Sequence, residues 1–174
     1  CAASAENIYI SADGNIYSAT CKQGGMLGNI YDANVELADR WIQCEKKWCM
    51  CGTDMMLRKV KDRKLIPKTY ESPDEEINED PESPSWIAPY HVEIHKEYPK
   101  IVTWDLGRRC NYSCNYCNPS ISNNYESHKS WGSLKNGTDL IINGFCRGVP
   151  SKFVFTGGEP AINPAYMDLV KYIR

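Results

Sequence analysis

The chain has 174 residues, 42% of them apolar, with a net charge of −2. That is enough for one domain or one and a fraction. No apolar run reaches the ~18 residues of a membrane span, and no signal peptide stands at the start, so a membrane protein is not expected. Seven acids and no base fall within residues 71–82; removing them from the 22 acids leaves 15 against 20 bases, so the remainder is about +5. That surplus suits an anionic cofactor and is too mild to indicate nucleic acid.

The chain starts with Cys1 and ends in an apolar stripe at Arg174, which predicts a fragment cut at both ends. Residues 7–20 read as a hairpin. Asp13-Gly14 is a preferred two-residue turn with positive φ at both positions, Ile8 and Ile10 alternate on one arm, and Ile16 and Ser18 answer on the other. A turn centred there sets Cys21 opposite Glu6 and brings Cys1 within reach of Cys21. Gly24-Gly25 and Gly28-Asn29 mark loops. Residues 32–42, with Val35, Leu37 and Trp41, predict a short helix.

Cys44, Cys49 and Cys51 follow at C-x4-C-x-C spacing. Three cysteines so close together cannot all be packing groups on one regular element. Residues 69–90, with Pro73, Pro81, Pro84, Pro89 and the acidic run, predict a solvated linker. His91 and His95 alternate in a strand-like stretch and lack a helical zinc spacing, so they read as ordinary surface or satisfied histidines. Residues 101–106 predict a strand. Residues 111–136 read as a polar loop, and Leu140, Ile141, Gly144 and Phe145 as a helix with Thr138 as N-cap and Gly148 as its stop. Cys146 falls in that pattern as a packing residue. Residues 152–156 predict a second strand. Asn163-Pro164 signals a further helix start, with Leu169, Val170 and Ile173 as its apolar stripe. Strand, helix, strand, helix points to an α/β fold with a parallel sheet.

The densest chemistry lies between the first of these strands and its helix. Cys110, Cys114 and Cys117 stand at C-x3-C-x2-C spacing, and the next cysteine, Cys146, is 29 residues further on. One short loop can thus offer three thiolates to a single cluster, whereas iron–sulfur clusters are usually held by four cysteines. Three protein ligands leave one iron open for chemistry. Arg108 and Arg109 precede the loop as basic neighbours of an anionic centre, or as solvated surface charge. About 40 residues beyond it, at the end of the second strand, stand Thr156, Gly157, Gly158, Glu159 and Pro160. The two glycines permit close backbone approach.

Together these two stretches resemble the radical SAM (S-adenosylmethionine) enzyme family, whose signature is C-x3-C-x-aromatic-C with Tyr116 in the aromatic slot. The resemblance implies the start of a partial TIM-like (β/α) barrel with its site at the strand C-termini. It implies a [4Fe–4S] cluster on Cys110, Cys114 and Cys117, with S-adenosylmethionine on the open iron. One electron from a flavodoxin- or ferredoxin-like donor splits the sulfonium, and the resulting 5′-deoxyadenosyl radical takes hydrogen from a substrate. Tyr116 is expected near the adenine. Gly157, Gly158, Glu159 and Pro160 are expected at the methionine amino group.

The upstream cysteines resemble a second module, the SPASM or twitch domain, an accessory iron–sulfur unit of many radical SAM enzymes. Two departures stand out: six residues rather than four separate Gly14 from Cys21, and the tight group is shorter than the family array. One auxiliary cluster is therefore expected, with Cys1, Cys21, Cys44, Cys49 and Cys51 competing for about four ligand places; zinc is the alternative. The expected organisation is an auxiliary domain at 1–68, the linker at 69–90 and the first part of the radical SAM domain at 91–174, an order in which the auxiliary module comes first. Relatives with such modules often modify peptides or proteins, so a peptide or protein substrate is the leading expectation. A small-molecule or nucleic-acid substrate, or a metal-stapled binding protein without turnover, are the rivals. The cysteine spacings suit a reducing cytoplasm, where the glycosylation-like sequences at Asn111 and Asn136 would meet no glycosylation machinery.

Overall fold

The structure, a computed structural model, describes residues 6–22, 24–32, 35, 37, 100–117 and 127–174. The short helix expected at 32–42, the tight cysteine group, the linker and the two histidines at 91 and 95 lie outside these residues, apart from 32, 35 and 37.

Among the described residues, five strands form one mixed sheet in the order β3-β2-β1-β4-β5. They are β1 (Asn7–Ile10), β2 (Asn15–Tyr17), β3 (Met26–Asn29), β4 (Lys100–Asp105) and β5 (Ser151–Thr156). β1, β4 and β5 run parallel, while β2 and β3 add an antiparallel edge. The hairpin and the strands that flank the cysteine loop therefore share a sheet: Asn7 lies opposite Ile101 and Ile10 opposite Trp104. β4 is its centre. All six of its residues are buried, as suits an interior strand of β-branched and aromatic side chains covered on both faces.

Even-numbered β4 side chains face the main core. Val102 and Trp104 pack there with Ile8, Ile10, Leu134, Ile141, Phe145 and Leu169. Two helices supply the outer layer: α1 (Trp131–Ile141) and α2 (Tyr166–Ile173). Both contribute to this one core, so both cover the same face of the sheet. Cys146 lies inside it, 5% exposed, and burial pushes its thiol up from the ordinary cysteine range.

Four local expectations are corrected. The hairpin turn is a three-residue loop, not a two-residue one: Ile10 pairs with Ile16, Ser11 N–H donates to Asn15 O (2.9 Å), and only Gly14 (φ 86°), not Asp13, takes the left-handed conformation. The register moves by one residue, which sets Thr20 rather than Cys21 in line with Glu6. The cause is Asn29, whose amide binds Asp13 O (3.1 Å) and Asn15 Oδ1 (2.9 Å) and fixes the turn from outside the hairpin. Gly28-Asn29 is accordingly strand, not loop, because pairing with β2 overrides the weak local preference.

α1 begins at Trp131, seven residues before the expected start at Thr138. Ser130 is the N-cap and accepts from Ser133 N (3.2 Å), whereas Thr138 is inside the helix and donates back to Leu134 O (2.9 Å). The helix then widens into a π turn (Ile142–Cys146), closed by Arg147 N–H to Ile142 O at 2.8 Å. Buried Lys100 donates to Phe145 O (2.7 Å), setting a cation at the carbonyl end of the helix. Lastly, α2 starts at Tyr166, because Asn163 caps the preceding turn by accepting from Ala165 N (2.9 Å).

Candidate functional site

Three parallel strands end at one edge of the sheet. β1 delivers the hairpin turn there, β4 the cysteine loop and β5 the Gly157-Gly158-Glu159-Pro160 stretch. Open α/β sheets bind ligands outside the carboxyl ends of their strands, so this edge is where a site belongs.

The two expected motifs are joined directly. Leu106 N–H donates to Thr156 O (3.0 Å), Gly158 N–H to Gly107 O (2.9 Å) and Glu159 N–H to Arg109 O (2.9 Å). The buried carboxylate of Asp105 accepts from Gly107 N–H (3.1 Å) and turns the chain out of β4. The stem of the loop is thus held up to Arg109, and Cys110 is the next residue.

Cys110, Cys114 and Cys117 are all half-buried. Tyr112 N–H points at Cys110 Sγ (3.4 Å), and a turn closes from Cys117 N–H to Cys114 O (3.1 Å). Among the described residues, no three His, Cys, Asp or Glu side chains converge into a metal-binding group, so the structure places the three thiols on one loop without gathering them round a point. As a donor set they fit a soft metal or an iron–sulfur cluster: three thiols within eight residues, at the solvent boundary, with a backbone N–H on one sulfur and two arginines just before them.

Tyr116 is 88% exposed. A hydrogen bond with Cys114, and then the charge of that thiol, raise its pKa above the ordinary tyrosine range. Glu159 is half-buried, and its Oε1 accepts from Ala161 N–H (3.0 Å), so the carboxylate caps the 3₁₀ turn Pro160–Ile162. Pro160 opens that turn, where its fixed φ fits and its missing N–H costs nothing. Gly157 and Gly158 meet the backbone of residues 107–109; in this structure the close approach they permit is to the loop stem.

Further side chains flank the loop, and of these Arg108 was expected from the sequence while Tyr9 and His128 were not. Arg108 pairs with Asp13 of the hairpin turn (3.5 Å), an exposed contact worth at most about 1 kcal/mol. Tyr9, on β1, has its pKa raised first by burial and then by the Asp105 charge. His128 has its pKa lowered first by burial and then by the Arg109 charge. Asp105-Leu-Gly107 carries a sequence signal of its own, an Asp whose side chain can bind the backbone two residues on.

Of the auxiliary candidates only Cys21 is described. β2 runs away from the cysteine-loop edge, and Cys21 follows it in a turn closed by Lys22 N–H to Ala19 O (2.9 Å). Cys1, Cys44, Cys49 and Cys51 lie outside the described residues. No helix among the described residues is long and apolar enough to cross a membrane.

Comparison with family models, with curated proteins and with solved structures finds no match for this chain.

Proposed function

We propose that this chain belongs to a radical SAM enzyme in which Cys110, Cys114 and Cys117 hold a [4Fe–4S] cluster. The observation that carries the reading is the junction of its two motifs: the three-cysteine loop and the Gly157-Gly158-Glu159-Pro160 stretch leave adjacent parallel strands at the same edge and are tied by backbone hydrogen bonds. When bound, such a cluster supplies the single electron that splits the sulfonium of S-adenosylmethionine, and the resulting radical abstracts hydrogen from a substrate.

The chain's own part is to hold and shield. Asp105 and the β5 stretch fix the stem of the loop. Arg108 and Arg109 set positive charge next to an anionic centre. The exposed ring of Tyr116 offers a surface for an adenine. Helices on one face of the parallel strands support a singly wound sheet, as the start of a TIM-like barrel requires. The substrate we favour is a peptide or protein, the electron donor a flavodoxin- or ferredoxin-like protein, and the compartment a reducing cytoplasm. About four of the five auxiliary cysteines, Cys1, Cys21, Cys44, Cys49 and Cys51, hold a second cluster, with zinc as the alternative occupant.

Anaerobic reconstitution tests the metal part. It should load about 7–8 iron atoms per chain, two four-iron clusters near full occupancy. Tightly bound zinc and no iron would overturn the reading.

A further inference from the structure

We propose that Gly157 and Gly158 are positioning residues for the cluster loop, fixing where Cys110 stands before any S-adenosylmethionine binds. This rests on the reading of Cys110, Cys114 and Cys117 as cluster ligands. A Cβ on Gly158 would fall inside contact distance of Arg109 O, 2.6 Å from Arg109 C and 2.7 Å from Arg108 O. All three are backbone atoms, which cannot rotate aside as the end of a side chain can. A Cβ on Gly157 would strike Gly107 O and Asp105 Oδ1, the atom that accepts from Gly107 N–H, and Gly157 also holds φ at 117°. Any side chain at either position must push apart the two segments that Gly158 N–H to Gly107 O and Glu159 N–H to Arg109 O hold together.

Cys110 follows Arg109 directly, so a displaced stem displaces the first thiolate. The glycine pair is thus a hinge-free clasp between β5 and the loop: its missing side chains make room for protein backbone, and that contact exists without any ligand. Loss of partners that orient metal ligands commonly costs about 10–100-fold in metal affinity.

The test is cluster retention with no S-adenosylmethionine present. Wild type, Gly158→Ala and Gly132→Ala are reconstituted anaerobically in the whole chain and challenged with an iron chelator; iron content and thiolate-to-iron absorption are followed. Gly132 is the control, since a Cβ there meets nothing closer than Ser130 Oγ at 4.0 Å. Gly158→Ala should hold its cluster about 10–100-fold more weakly, and Gly132→Ala as wild type does. If Gly158→Ala fails to fold, Asp105→Ala decides, because it removes the acceptor for Gly107 N–H without adding an atom; it too should weaken retention. Wild-type retention in a folded Gly158→Ala, with only S-adenosylmethionine binding lost, would overturn the proposal. So would wild-type retention in Asp105→Ala if Gly158→Ala does not fold. A wild-type chain that takes up no iron contradicts the functional reading instead, and the two failures are told apart by the wild-type iron content.

Discussion

Cys114→Ala should abolish reductive cleavage of S-adenosylmethionine while leaving the chain folded. The thiol is half-buried on a loop outside the main core, and its known partner is the exposed Tyr116. Removing it empties no cavity, so stability should change by no more than about 0.5 kcal/mol, the ordinary range for substitutions away from the core. The proposed cluster, by contrast, would lose one of its three protein ligands, and no other cysteine of the loop could replace it. Cys146→Ala is the matched control. That thiol is buried in the core, so its loss should lower stability without touching cleavage. The measurement is 5′-deoxyadenosine formed with a strong reductant, read beside a thermal melt. Cleavage that survives Cys114→Ala would remove the loop from the catalytic role.

The largest loss of stability should come from Trp104→Ala, about 3–5 kcal/mol. Trp104 is fully buried on β4, tilted against Phe155 with ring centroids 6.3 Å apart. It also supports α1. Its ring edge lies 3.4 Å from where a Cβ on Gly137 would stand, and Ile30 presses on the same glycine. Removing the indole therefore empties the space between sheet and helix at the level where β4 hands over to the cysteine loop. Trp104→Phe should cost far less. It keeps most of the packing and deletes an Nε1–H that is buried with no hydrogen-bond partner among the described residues. Urea titration separates the two variants: with a slope of about 1–3 kcal/mol per M, the alanine variant's midpoint should fall by 1 M or more.

The strands that lead into the two candidate motifs were the easiest to read. The strand expected at 101–106 is found at Lys100–Asp105, and that expected at 152–156 at Ser151–Thr156. Both are short β-branched or aromatic runs bounded by glycine, a pattern that needs no tertiary information. That the two strands are parallel neighbours agrees with the tendency of successive strands to lie side by side, and it brings both motifs to one edge.

What local pattern could not reveal was set by distant partners. α1 hid behind Gly132 and Asn136, which read as loop; Gly137 suits the helix because Ile30 and Trp104 crowd that point. The hairpin loop gained a residue because Asn29, sixteen positions from Asp13, holds the turn. β1 pairs with β4 across some ninety residues, and no short-range periodicity encodes that pairing. The clasp between Gly158 and Arg109 was hidden for a related reason. A glycine pair in sequence says that something approaches closely, and only the fold identifies it as the chain's own backbone.

The residue 110–117 loop is proposed to carry a cluster with one iron open to S-adenosylmethionine. Low-temperature electron paramagnetic resonance of the reduced, reconstituted protein tests it most directly. The spectrum should be that of reduced four-iron clusters, and adding S-adenosylmethionine should shift the signal that Cys114→Ala removes while leaving the auxiliary signal unchanged. A Cys114-dependent signal that ignores S-adenosylmethionine, or no iron signal at all, would contradict the account.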